Sequence, residues 1–222
     1  MNDAGVIIKI CGLSTEPTLE ATINAGADFA GFVFFEKSPR HIDLEKARRL
    51  SEQASGRIKR VALVVDADDQ QIEEIISALN PEFLQLHGQE TPQRVANLKK
   101  QFGLPIIKAI GVASSADIQA SESFKRDADM VLLDAKPQPG APAPGGAGAV
   151  FDWRLTQGVS LDKWMLSGGL DCQNVEVALR QTGAPAVDVS SGVESARGVK
   201  DCEKIVAFIR VVRALSSQGA RS

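Results

Sequence analysis

The chain has 222 residues, 44% hydrophobic and 24% charged, with a mean hydropathy of -0.05. This profile fits one globular domain able to bury a sizeable core and excludes disorder or collagen-like repeats. Its 25 basic and 28 acidic residues give a formal charge of -3 without a long basic run, which argues against nucleic acid or an acidic membrane as the main partner and toward a small-molecule ligand.

Short β-branched runs alternate with longer amphipathic stretches along the whole chain, the pattern of repeated βα units. Eight such runs are expected as strands: Val6 to Cys11, Phe29 to Phe35, Lys59 to Val65, Phe83 to His87, Ile106 to Ile110, Met130 to Asp134, Trp164 to Ser167 and Ala186 to Ser190. Several are almost continuously apolar, as parallel strands covered on both faces should be. Helices are expected after Thr15-Glu16-Pro17 and Asp43, and near Asp69, Thr91, Ser114 and Asp171. A last helix, from Val199 to about Leu215, would place Ile205, Phe208, Ile209 and Val212 on one stripe. The sixth unit is the weakest, because a Pro, Gly and Ala-rich loop (Gln138 to Ala149) precedes a short Phe151-Asp152-Trp153 segment.

Eight βα units in this length predict an α/β fold, a single (β/α)8 TIM barrel over residues 1–222, with an open doubly wound sheet as the alternative. The G-x-G-x-x-G signature that would favour the open sheet is absent, since Cys11-Gly12-Leu13-Ser14 follows the first strand. The segment at 137–149 reads as an active-site loop rather than a domain boundary. Cys11, Cys172 and Cys202 are scattered and odd in number, so free thiols are expected, and with only His41 and His87 no metal constellation is indicated. No apolar stretch approaches the ~20 residues that span a bilayer, and Met1-Asn2-Asp3 does not open a signal peptide, so the expected compartment is the cytoplasm.

In a barrel, chemistry belongs where strands end and βα loops begin. Cys11 ends the first strand and Asp134 the sixth: as a pair on one rim they can move protons between carbon and oxygen, whereas taken singly they read as a small buried thiol and a turn cap. Gly168-Gly169 and Ser190-Ser191-Gly192 lie after strands seven and eight, the usual phosphate position of such barrels, although each is also compatible with a tight turn. Arg40 can grip a carboxylate bidentately or form a surface ion pair. His87 reads either as a proton carrier or as a hydrogen-bonded imidazole at a strand end, and Lys9 and Lys108 as members of polar barrel layers, with solvent as the other option for Lys108. Phe151 and Trp153 are expected to pack the sixth unit.

The collected strand ends, in order, resemble the phosphoribosylanthranilate isomerase family of tryptophan biosynthesis. The resemblance runs nearly end to end: Lys9-Ile10-Cys11-Gly12-Leu13, Gly31-Phe32-Val33-Phe34 leading to Ser38-Pro39-Arg40, Gln85-Leu86-His87-Gly88, Leu132-Leu133-Asp134, Phe151-Asp152-Trp153, Ser167-Gly168-Gly169-Leu170 and Val187 to Glu194. It implies an Amadori rearrangement of N-(5-phosphoribosyl)anthranilate to 1-(2-carboxyphenylamino)-1-deoxyribulose 5-phosphate, without a cofactor or metal, by a monomer or homodimer. Carried over by motif, Asp134 is the general acid and Cys11 the general base. Arg40 takes the anthranilate carboxylate, Gly168, Gly169, Ser190, Ser191 and Gly192 surround the phosphate, and Asp188 serves a sugar hydroxyl or the order of its loop. Two departures stand out: alanine in Gly146-Ala147-Gly148, where the family has a polar residue, and Arg197, where proline is common. The enzymatic alternative is a related barrel such as the histidine-pathway isomerase, whose acid–base pair is two aspartates where this chain has Cys11 at the first-strand position. A barrel that binds a phosphorylated ligand without turnover is the non-enzymatic one.

Overall fold

The computed structural model describes residues 5–136 and 150–219, so the expected loop at 137–149, with Gly146-Ala147-Gly148, lies outside the described residues. Eight parallel strands form a closed ring: β1 (Ile7–Cys11), β2 (Phe29–Phe34), β3 (Lys59–Val64), β4 (Phe83–Leu86), β5 (Ile106–Val112), β6 (Met130–Ala135), β7 (Trp164–Leu166) and β8 (Ala186–Val189). All eight coincide with the expected runs to within two residues at each end, and the pairing of β1 with β8 closes the barrel and excludes the open sheet.

The alternation of side chains along each strand sorts two cores. Ile8, Ile10, Ala30, Phe32, Val131, Leu133, Val187 and Val189 face outward into a shell shared with the helices. Phe29, Val61, Ile107, Ala109, Met130, Leu132, Met165 and Ala186 fill the inside of the ring, and Cys11, Val33 and Leu63 cluster above them toward the rim. The interior is thus packed with side chains in layers, as closure of eight strands requires.

Among the described residues, six helices cover the ring before the last one: α1 (Glu16–Asn24), α2 (Leu44–Ala54), α3 (Asp69–Leu79), α4 (Pro92–Phe102), α5 (Ser115–Ser121) and α6 (Val175–Thr182). Their starts follow ordinary capping chemistry. Asp43 accepts from the Lys46 amide at 2.7 Å, Asp68 and Gln71 form a reciprocal capping box, and Thr91 accepts from the Arg94 amide ahead of a first-turn proline. Among the described residues of the sixth unit there is a 3-10 turn, Trp153–Thr156, with Phe151 buried and Trp153 half-buried against the shell. Among the described residues, no helix is long and apolar enough to cross a membrane.

Two expected helix starts move. Near Asp171 the chain first makes a turn in which the carboxylate accepts from the amides of Gln173 and Asn174, and α6 begins only at Val175. The last helix, α7 (Cys202–Gly219), starts three residues later than expected, because β10 (Val199–Lys200) pairs antiparallel with β9 (Glu194–Ala196). Asp201 then caps α7 through the amides of Glu203 and Lys204. The stripe of Ile205, Phe208, Ile209 and Val212 is fully buried, as expected.

Candidate active site

Cys11 is the last residue of β1 and points into the barrel mouth, 4% exposed. Two residues earlier on the same face lies Lys9, paired in register with Asp188 of β8. Their side chains form a buried ion pair, Lys9 Nζ to Asp188 Oδ1, at 2.9 Å. Ser167, at the end of β7, lies 3.5 Å from the other carboxylate oxygen. Burial opposes the charge on Lys9, but Asp188 and Cys11 outweigh it and hold its pKa above the ordinary lysine value. For Cys11 burial is the largest influence and raises the thiol pKa, with Asp188 adding to it, while Lys9 and Lys200 act to lower it. The thiol is therefore a strong base once ionised, beside two cations that favour its thiolate.

Asp134 faces the same mouth from β6, three strands from β1 around the ring, and is 6% exposed. Its Oδ1 accepts from the amide of Ala135 at 2.9 Å, and His87 Nε2 approaches Oδ2 at 3.4 Å. On the far side of the ring His87 Nδ1 lies 3.3 Å from Gln85 Nε2. His87 is thus an imidazole held between neighbours at a strand end, and one of those neighbours is the expected acid. Lys108 departs from both readings offered for it. It lies on the outer face of β5, buried between barrel and helices, with its ammonium on Leu86 O, Gly88 O and Glu90. It serves the loop after β4 and lines neither the barrel interior nor the surface.

Arg40 is buried, not a surface group, which settles the location left open by the sequence. Its Nε donates to Glu194 Oε1 at 2.6 Å and its Nη2 to Glu194 Oε2 at 3.0 Å. The stem of Arg40 runs over Gly12, where a Cβ would stand 2.5 Å from Arg40 Cδ, so only glycine admits it. Lys200 Nζ donates to Glu194 Oε1 (2.7 Å), Ser190 O (2.8 Å) and Ser190 Oγ (3.1 Å). Burial alone would raise the Glu194 pKa, but Arg40 and Lys200 bring it down to about 2. Lys200 is itself lowered, chiefly by burial, against the pull of Glu194.

The loops after β7 and β8 meet backbone to backbone. Gly168 and Gly169 follow β7, and Ser191–Val193 form a 3-10 turn after β8. A Cβ on Gly192 would overlap the carbonyl oxygen of Leu170, so a side chain there would push the two loops apart. Ser190 Oγ donates to Cys11 O at 3.1 Å, which ties the second loop to the end of β1. Cys11, Asp134, Asp188, Gly168, Gly169, Ser190, Ser191 and Gly192 thus all lie at the C-terminal ends of barrel strands or in the loops that follow them, and Arg40 enters from the loop after β2.

The sequence reading missed the roles of Glu194 and Lys200. A glycine between two charged residues, in the stretch Glu194 to Lys200, is the available signal for a short hairpin that delivers both. Arg197 lies exposed at its turn.

Comparisons with known proteins agree on one family. Residues 8–211 match the family model for N-(5'-phosphoribosyl)anthranilate isomerase. The chain is 53% identical over 210 residues to the N-(5'-phosphoribosyl)anthranilate isomerase of Rhodopseudomonas palustris, covering 94% of this chain and 96% of that one. It is 54% identical to that of Nitrobacter hamburgensis, covering 94% and 93%. The phosphoribosylanthranilate isomerase structure from Thermotoga maritima superposes with a TM-score of 0.85 at 34% identity, covering 94% of this chain and 99% of that one. Another structure of such an isomerase, in complex with reduced 1-(o-carboxyphenylamino)-1-deoxyribulose 5-phosphate, gives a TM-score of 0.82 at 32% identity over the same shares. Matched over nearly its whole length in both sequence and barrel, the chain belongs to the N-(5'-phosphoribosyl)anthranilate isomerase family.

Proposed function

We propose that this chain carries out the isomerisation for which its family is named, the Amadori rearrangement step of tryptophan biosynthesis, with Asp134 as general acid and Cys11 as general base. The observation that supports this reading best is the shared mouth: a carboxyl on β6 and a thiol on β1 face the same end of the barrel, whose rim also carries a buried arginine and two glycine-containing loops. Asp134 protonates the ribose ring oxygen and opens the ring to a protonated Schiff base. The Cys11 thiolate then removes the C2 proton, and the resulting enolamine tautomerises to the ketone with no net change in protons. No electron leaves or enters the substrate, so an acid and a base suffice. The backbone around Gly168, Gly169, Ser190, Ser191 and Gly192 holds the phosphate, as strand-end loops in this part of a barrel can. Arg40 meets the anthranilate carboxylate, and Asp188, ion-paired to Lys9, orders the floor beneath Cys11 or meets a sugar hydroxyl.

The direct test is a fluorescence assay of the purified chain with freshly generated phosphoribosylanthranilate, run beside Cys11→Ser and Asp134→Asn. Turnover by the intact chain that is lost in both variants supports the reaction and both roles. Absence of turnover by the intact chain refutes the assignment and directs the assay to the histidine-pathway substrate.

A further inference from the structure

We infer that Glu194 is the positioning residue of the Arg40 clamp, and that through it this protein recognises a carboxylate on the aromatic ring of its substrate. The inference rests on the reading of Arg40 as the group that meets that carboxylate.

A carboxylate has about four lone-pair sites, and every one on Glu194 is occupied. Oε1 accepts from Arg40 Nε and Lys200 Nζ; Oε2 accepts from Arg40 Nη2 and the Gly198 amide at 3.0 Å. Its main chain is held as well, since Lys204 Nζ donates to Glu194 O at 2.7 Å. An acceptor so fully bound has one orientation, and the fork it makes with Arg40 fixes the plane of the guanidinium before any ligand arrives. That is preorganisation: the ordering of a long side chain is completed during folding and is not charged against binding.

The same hairpin sets the clamp's distance from the chemistry. Lys200 spends its three donors on Glu194 and on the carbonyl and hydroxyl oxygens of Ser190, whose hydroxyl donates to Cys11 O. Lys200 is therefore saturated by protein and acts as a strut. Arg40, Glu194, Lys200, Ser190 and the end of β1 form one chain of hydrogen-bonded contacts, so the guanidinium is registered against the thiol. Arg40 and Glu194 are 154 positions apart in sequence, and β9 and β10 are the elements that bring the second to the first.

The test compares two ligands: reduced 1-(o-carboxyphenylamino)-1-deoxyribulose 5-phosphate and its phenylamino counterpart, which lacks the carboxylate. In the intact protein the carboxylate should favour binding by about 10- to 100-fold, the value of a charge-assisted hydrogen-bonded pair. In Glu194→Gln and Glu194→Asp that preference should collapse to within a few fold. KM for the substrate should rise by at least about 10-fold, with kcat changed far less. A preference that survives in both variants overturns the inference. Arg40→Met separates the two levels: a preference that survives there refutes the reading of Arg40 itself. Should the Glu194 variants not fold, a crystal structure of the intact protein with the reduced carboxyphenyl ligand decides. Arg40 still forked on Glu194 while facing the ligand carboxylate supports positioning, and a guanidinium that has left Glu194 overturns it.

Discussion

Lys9 and Asp188 are paired in register on β1 and β8, the two strands that close the barrel, and their buried ion pair lies on the same face of β1 as Cys11, two residues before it. Ring closure thus places a fixed cation beside the thiol. Asp188 is the counter-ion that lets this lysine stay charged out of water, and the lysine is in turn one of the two cations that favour the thiolate.

Replacing Lys9 by Met should therefore move the thiol further up. One of the two cations that favour the thiolate is gone, and the unpaired Asp188 carboxylate opposes it. A higher thiol pKa leaves less thiolate at any given pH, so the rising limb of kcat/KM against pH should shift to higher pH. The rate of Cys11 alkylation against pH, in a Cys172→Ser, Cys202→Ser background, should shift with it. An unshifted profile would remove Lys9 from the site. A buried carboxylate left without its partner should also cost about 3–5 kcal/mol of stability, read from denaturant unfolding.

Asp134→Asn keeps the shape of the side chain and removes its proton. Turnover should fall by about 10²–10⁴-fold, while inhibition by inorganic phosphate persists. Cys11→Ser should be impaired at least as severely, because a hydroxyl is a far weaker base near neutral pH. Near-normal turnover in either variant would cancel that residue's role.

Gly192→Ala places a methyl group against the Leu170 carbonyl and should separate the loops after β7 and β8. The expected outcome is a KM raised by about 10-fold or more and weaker inhibition by phosphate, with destabilisation of about 1–3 kcal/mol from overpacking. Unchanged phosphate inhibition would argue that these loops do not hold the phosphate.

Acid should withdraw the contribution of Glu194 to the hairpin only well below the ordinary carboxylate range. The Glu194 pKa is lowered from 4.5 to about 2, so its contribution is fully present above the unfolded value and is lost as pH falls from 4.5 toward 2. That contribution is on the order of 3 kcal/mol. Unfolding free energies between pH 5 and pH 2 should show this loss, and Glu194→Gln should flatten part of the slope. An identical slope in the variant would contradict the assignment.

The elements legible in the sequence are those specified by neighbours along the chain. Each strand is a short apolar run because it is covered on both faces, and the caps Asp43 and Thr91 act on amides three residues away. The misplaced starts near Asp171 and Val199 have local causes of another kind: an Asx turn delays one helix, and a two-residue strand that finds its partner delays the other. Helical periodicity continues through such a strand, since Val199 is as apolar as a helix residue would be.

By itself the sequence determined the eight βα units, and hence which residues end strands: Cys11, Asp134, Asp188 and the two glycine-containing loops. A strand end is a local property, and the βα repeat sends every strand end to one side. Only the tertiary structure decided which charges share a partner. Lys9 finds Asp188 across 179 positions because the ring closes between β1 and β8, and Arg40 finds Glu194 because a hairpin folds back over the rim. Such pairings follow from the ring and the hairpin in space, which no spacing along the chain encodes.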